Sequence, residues 1–140
     1  MTVHPCHLLS GAVAALLVVP AAIAAGPIEV VRGPDAMTFG NCVPSLVVEN
    51  RSALVVDYLQ VDVALTLENG QERTVELKSA YREGLPAPIG PGATATLRQH
   101  LDTSRGLGVG CGDLRSRRVV GLVCEVSGGT SCAAAVSVRP

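Results

Sequence analysis

Residues 57 to 77 read DYLQVDVALTLENGQERTVEL, and this stretch decides the fold class. Between residues 57 and 67 apolar and polar side chains alternate, so one face carries only aliphatic residues: Leu59, Val61, Val63, Leu65 and Leu67. A two-residue period is typical of a β-strand with one face on a core and the other in water. The Asn69-Gly70 pair that follows predicts a tight turn into a second strand.

The length of that turn decides which residues of the two strands oppose each other. A two-residue turn would put Val75 and Leu77 on the face opposite to Val61 and Val63, because a shift of one residue inverts the facing of a whole strand. A three-residue loop that ends in a left-handed Gly70 instead pairs Val63 with Val75 and Val61 with Leu77. We therefore expect the three-residue loop.

The rest of the chain shows the same short alternating segments between Gly, Pro and Asn turns, with no sustained helical period. Further strands are predicted at residues 28–32, 43–49, 93–101, 118–126 and 132–139. The proline-rich segment 84–92, GLPAPIGPG, is expected to be a crossing or edge connection, because proline donates no ladder hydrogen bond. The sequence thus predicts an all-β, seven-stranded immunoglobulin/fibronectin III-like sandwich with two disulfides, and an open barrel is the principal alternative.

The front of the chain has the features of a secretory signal peptide. Residues 11 to 25 read GAVAALLVVPAAIAA, and Ala22-Ile23-Ala24 satisfies the small-x-small rule for cleavage. The leading MTVHPCHLLS lacks the usual Lys or Arg, and an uncleaved anchor is the alternative. We expect residues 1–24 to be removed, Cys6 with them, and residues 25–140 to form one domain, secreted or periplasmic, without a membrane span.

Four cysteines remain in the mature part: Cys42, Cys111, Cys124 and Cys132. An even set in a small exported domain predicts disulfides. An odd loop in the last hairpin places Cys124 opposite Cys132, within the Cα distance that a disulfide spans, and leaves Cys42 for Cys111. A zinc site is disfavoured because no Cys-x-x-Cys pair exists, so no metal or cofactor is expected.

The composition argues against several function classes. The formal net charge is −1, whereas nucleic acids and anionic membranes select basic faces. The run RSRR, with Arg115, Arg117 and Arg118, is read as a solvated edge, with a contact to an acidic partner as the sharper alternative. His100 is the one histidine of the mature part, and no nucleophile motif accompanies Ser104 or Asp102, so we expect no enzyme.

The last predicted hairpin suggests an interaction surface. If Val120, Leu122 and Cys124 point inward, then Gly121 and the candidate interface residues point outward: Val119, Val123, Ala133 and Ala135. This outer face would be apolar where water-facing strands are usually polar, which is typical of a contact surface. Alternatively, segment 33–41 or segment 84–92 covers it.

Four stretches together carry a resemblance to a known family: CVPSLVVENRS (42–52), the hairpin from residue 57, IGPGATATL (89–97) and VVGLVCEVSGGTSC (119–132). The chain resembles the small secreted bacterial proteins of the interleukin receptor mimic type. The resemblance implies a fibronectin III-like sandwich, strand-exchanged dimers, and binding of host or surface proteins rather than catalysis. It carries over no individual binding residue.

We therefore expect a non-catalytic protein-binding module that acts through sheet edges and the outer face of the last hairpin, with another protein or a second copy as partner. The alternative is a periplasmic enzyme inhibitor or accessory subunit that inserts the proline-stiffened loop 84–92 into a cleft, since a stiff loop loses little entropy on binding.

Overall fold

A computed structural model describes residues 26–79, 81–82, 85–100 and 106–140. The predicted signal peptide, 1–24, and the residues Asp102 and Ser104 lie outside the described residues. In the described part of the chain, no helix is long and apolar enough to cross a membrane.

The described residues are almost entirely β-structure. The strands are β1 (Ile28–Arg32), β2 (Ala36–Thr38), β3 (Asn41–Val43), β4 (Ser45–Asn50), β5 (Val56–Leu67), β6 (Glu72–Lys78), β7 (Tyr81–Arg82), β8 (Leu85–Pro86), β9 (Thr94–Arg98), β10 (Leu114–Val126), β11 (Thr130–Ser131) and β12 (Val136–Arg139). Two short 3₁₀ turns, η1 (Cys111–Asp113) and η2 (Ala133–Ala135), flank β10 and β12. The all-β prediction is confirmed, whereas the strands are more numerous than the seven predicted.

Eight strands form one sheet in the order β11-β10-β5-β6-β9-β4-β1-β12. Among the described residues, a single pair joins its two four-stranded halves: Lys78 of β6 with Arg98 of β9. The sheet is curled, and side chains from both halves belong to one core cluster. The strand pairs β2-β3 and β7-β8 form separate two-stranded ribbons.

The hairpin of β5 and β6 forms in the predicted register. Val61 opposes Leu77 and Val63 opposes Val75. The loop has three residues, and Gly70 takes a left-handed φ of 82°, which only glycine adopts without a steric cost. The aliphatic face of β5 is fully buried, as the two-residue period predicts.

The core is aliphatic and contains one buried amide. Strands β1, β4, β5, β6 and β9 supply its largest buried side chains: Ile28, Val30, Leu46, Val48, Val56, Leu59, Val61, Val63, Leu65, Leu77 and Leu97. The buried Asn50 donates from Nδ2 to the carbonyls of Leu54 (2.7 Å) and Ile89 (2.9 Å). Its Oδ1 accepts from the Ser52 backbone N–H and hydroxyl. Asn50 therefore fixes two connections at the end of β4.

The C-terminal strand differs from the prediction. Only Glu125 and Val126 of β10 pair with β11, and the chain then leaves through η2. Strand β12 pairs in parallel with β1 at the opposite edge of the sheet. Alternation in residues 132–139 predicts a strand but not its neighbour, because an alternating strand can place its apolar face on the core at either edge.

Candidate functional site

Both disulfides join the cysteines that the sequence analysis paired. Cys42 bonds Cys111 with a Cα–Cα distance of 4.7 Å, and Cys124 bonds Cys132 at 5.0 Å. The Cys132 N–H also donates to the Cys124 carbonyl, which closes the hairpin ahead of η2. Ligand atoms of Asp35 lie within 4.8 Å of the Cys42 and Cys111 sulfurs, but sulfurs bonded to each other offer no thiolate to a metal.

The facing of β10 reverses at a β-bulge. Val119 opposes Val63 and Gly121 opposes Asp62, so Val120 is an extra residue without an opposite partner. The bulge inverts the alternation that the sequence analysis assumed to be continuous. Val119 therefore packs against the core, whereas Val120 is 46% exposed. The prediction that Val119 points outward and Val120 inward was wrong.

The other candidate interface residues divide in the same way. Val123 is 39% exposed, as expected, and opposes Gln60 of β5. Ala133 and Ala135 lie in η2 rather than in a strand and pack against the core, so their predicted outward facing was also wrong. The outer face of β10 thus presents Val120 and Val123.

Strand β10 also has a long unpaired edge. It is bonded along its length to β5, while on its other side β11 opposes only Glu125 and Val126. Within the described part of the chain, residues 114–123 have no strand partner on that side. A free edge exposes backbone donors and acceptors that another strand can bond.

The outer face of neighbouring β5 carries a polar row. The Tyr58 hydroxyl donates to Gln60 Oε1, and Gln60 Nε2 donates to Asp62 Oδ1 at 2.7 Å. Gly121 leaves the space for the Asp62 carboxylate, since a Cβ there would lie 2.4 Å from Oδ2. The exposed valines of β10 thus lie beside a fixed set of hydrogen-bonding groups.

The three arginines of the RSRR run all have carboxylate partners. Arg115 pairs with Glu68, Arg118 with Glu72 at 3.2 Å, and Arg117 with Asp35. The Arg117 side chain is only 6% exposed, since it lies on the inward side of the bulged strand. Arg115 and Arg118 are exposed, as the prediction of a solvated edge expects, whereas the burial of Arg117 contradicts that prediction.

Asp35 and Arg117 form a buried ion pair that ties the connection after β1 to β10. Burial alone would raise the pKa of Asp35, but the hydrogen bonds and charges of Arg117 and Arg32 outweigh it and lower that pKa below 3.8. Asp35 Oδ1 and Arg117 Nη1 are buried and have no hydrogen-bond partner among the described residues. The carboxylate therefore remains charged and is held between two guanidinium groups.

No constellation for catalysis is found among the described residues. His100 is exposed, with a ring nitrogen 3.4 Å from the Ser79 carbonyl oxygen. An open cavity of about 390 Å³ is lined by residues of β9 and by segment 87–89. Arg98 is the charged group among the described residues of its lining, so those residues offer neither carboxylate nor imidazole for acid–base chemistry.

The proline-rich segment 84–92 is anchored at its C-terminal end. Ile89 is buried and exchanges backbone hydrogen bonds of 2.8 and 3.0 Å with Val56. The Ile89 side chain therefore belongs to the core and is not part of an exposed loop surface. Pro88 remains exposed.

One exposed hairpin was not predicted from the sequence. Residues 36–43, AMTFGNCV, form β2, a two-residue turn at Phe39-Gly40, and β3. Phe39 is 90% exposed. The Gly-Asn pair at 40–41 is a turn signal that could have revealed it, but the flanking strands are too short to show a period.

Comparison with known proteins found one related fold. No family model and no curated protein matches the chain. A solved structure of IrmA from Escherichia coli is similar, with a TM-score of 0.55 and 12% sequence identity over 81% of this chain and 91% of that one. At this identity the likeness is one of fold alone, and it gives partial support to the sequence resemblance.

Proposed function

We propose that this protein is an exported, non-catalytic module that binds a partner protein through β10. The observation that carries the proposal is the combination, on one strand, of an unpaired edge over residues 114–123 and the exposed side chains of Val120 and Val123. An edge supplies main-chain hydrogen bonds to an added strand, and neighbouring side chains supply specificity.

Features of the edge itself restrict what can pair with it. Register shifts fall between Leu114 and Ser116 and between Val119 and Gly121, and bulges discourage unspecific edge-to-edge pairing. The free stretch after the second shift is therefore 121–123, next to the exposed valines. A partner strand that bonds here would cover Val123 and extend the half-sheet of β10, β5 and β6.

Export is supported by the predicted signal peptide and by the two disulfides, which persist in oxidising compartments. We further infer that the curled sheet is a two-layered, fibronectin III-like sandwich, since a single residue pair links its halves in the described part of the chain. The resemblance to interleukin receptor mimics and the fold likeness to IrmA support a host or surface protein as partner.

The experiment compares Val120→Glu with Val55→Glu, a matched control because Val55 is 45% exposed and lies outside β10. Each labelled protein is applied to an array of purified extracellular domains of host and bacterial surface proteins. We expect Val120→Glu to weaken binding about 10-fold or more, because a charge would be buried in the contact. Equal binding by both variants would contradict the proposal.

Self-association is measured on the same samples. Sedimentation velocity of the wild type and of Val123→Glu tests whether a second copy is the partner, as the sequence analysis allowed. A dimer that Val123→Glu dissociates would assign the β10 surface to self-assembly. The inhibitor function remains a prediction, and Pro88→Ser is the variant that would weaken binding only under it.

A further inference from the structure

The β2–β3 hairpin presents the most exposed large apolar side chain in the described part of the chain. Phe39 at its tip is 90% exposed, and Met37 on the same hairpin is 56% exposed. The chain contains a single phenylalanine, and it contributes almost nothing to the core. We propose that Phe39 is an anchor that enters an apolar pocket of the partner protein; this proposal rests on the proposed function and extends its contact surface.

The backbone at the tip favours another residue type. Phe39 has a φ of 48° and Gly40 a φ of 75°, the positive pair that a type I′ hairpin turn requires. Glycine adopts this conformation without a Cβ, and asparagine and aspartate adopt it with the help of local side-chain hydrogen bonds, whereas a bulky aromatic residue is strained there. A bulky residue that is both strained and exposed to water does not stabilise the fold. Residues in strained conformations cluster at binding sites.

The hairpin is held rigidly behind its tip. Cys42 of β3 is bonded to Cys111, and its N–H donates to the Val109 carbonyl at 2.8 Å. Asn41 Nδ2 donates to the Phe39 carbonyl at 3.1 Å, while its Oδ1 accepts from the Gly108 N–H at 2.7 Å. Because these contacts fix the backbone of the tip before binding, little backbone freedom is lost when the ring is buried.

The chemistry of the tip favours a protein pocket over a membrane. Residues 36–43 carry no charge, whereas attachment to an anionic leaflet draws on basic side chains near the surface. One aromatic ring is also too small an anchor, since even a whole myristoyl chain holds a protein to a bilayer only marginally. Inside a protein contact, by comparison, a single buried aromatic residue can dominate the affinity.

The position of the tip argues for one continuous contact with β10. Asp35, directly before β2, is paired with Arg117 of β10, and the Cys42–Cys111 bond ties β3 to η1 at the start of β10. The tip alone would bury far less than the roughly 1,600 Å² of a standard interface. It therefore serves as the anchor of a surface to which the edge of β10 contributes the remaining area.

The test uses Phe39→Asn, which keeps a residue that tolerates the turn and removes the ring. Val55→Asn is the matched control at an exposed apolar site away from the hairpin. The affinities of both variants and of the wild type are measured by titration against the array proteins that bind the wild type. Burial of a phenylalanine side chain predicts about 10- to 100-fold weaker binding for Phe39→Asn, and no change for Val55→Asn. A thermal melt should show Phe39→Asn raising Tm by about 2–4 °C, because strain is relieved.

Each contrary result has its own meaning. Unchanged binding of Phe39→Asn to proteins that bind the wild type would overturn the anchor and leave the proposed function standing. A wild type that binds no array protein would overturn both. If the wild type bound phosphatidylcholine–phosphatidylglycerol vesicles and Phe39→Asn did not, the ring would be a membrane anchor instead. If the wild type formed a dimer in sedimentation and Phe39→Asn did not, the ring would enter a second copy of the chain instead. A lowered Tm would show that the ring supports the fold.

Discussion

Replacing Asp35 by asparagine removes the charge that faces Arg117 and leaves the buried guanidinium without its counterion. The two side chains are 11% and 6% exposed. Removing one partner of a buried pair typically costs about 3–5 kcal/mol of unfolding free energy. Because Asp35 Oδ1 and Arg117 Nη1 have no hydrogen-bond partner in the described part of the chain, the pair is incompletely satisfied. We therefore expect a loss of unfolding free energy at the lower end of this range, about 3 kcal/mol. The exposed Arg32 adds at most about 1 kcal/mol.

The assay is urea unfolding at pH 7 followed by far-ultraviolet circular dichroism, since the chain has no tryptophan. Arg118→Met is the control, because its ion pair with Glu72 is exposed on both sides and should contribute no more than about 1 kcal/mol. The double variant Asp35→Leu with Arg117→Met removes both charges and both unpartnered atoms, so it should recover most of the stability lost in Asp35→Asn. If Asp35→Asn costs no more than Arg118→Met, the burial argument is refuted.

Three further predictions follow from the same geometry. The pKa of Asp35 lies below its ordinary 3.8 in the folded state. The charged carboxylate therefore contributes to the free energy of unfolding above pH 3.8, and this contribution is lost as the pH falls through the folded pKa. In acid titrations, the difference in stability between the wild type and Asp35→Asn should close below pH 3.8. Replacing the Cys42–Cys111 pair by serines should lower the free energy of unfolding by about 4 kcal/mol, because that disulfide closes a loop of 69 residues. The same change at Cys124–Cys132, whose loop has 8 residues, should lower it by about 2.5 kcal/mol. Equal losses in urea unfolding would contradict the chain-entropy explanation. Gly121→Ala should destabilise by about 1–3 kcal/mol, because its Cβ would displace the carboxylate opposite, whereas Gly112→Ala, with open space around it, should change little.

The local pattern was sufficient for the parts of the fold that adjacent residues determine. Alternation over 57–67 predicted β5 within one residue, and the Asn69-Gly70 turn predicted the opposition of Val61 with Leu77. The disulfide pairing followed from the odd loop that sets Cys124 opposite Cys132. These features depend on short loops and a two-residue period, both of which are written in neighbouring residues.

Tertiary structure decided what depends on residues distant in sequence. The bulge at Val120 reverses which side chains of β10 face the core. The sequence of the strand alone did not predict where the extra residue of this bulge lies. Strand β12 pairs with β1 and not with β10. Its apolar face could pack on the core at either edge of the sheet, so its own residues do not specify which strand it pairs with. The prediction of which residues form the outer face of β10 was wrong for the same reason. Of the four predicted interface residues, Val123 alone faces outward, and Val120 is exposed instead of Val119. The sequence by itself determined the longer strands and which cysteines meet, because short loops and a two-residue period lie in neighbouring residues. The packing of distant segments decided the short β2–β3 hairpin, the neighbour of β12 and which side chains of β10 face outward.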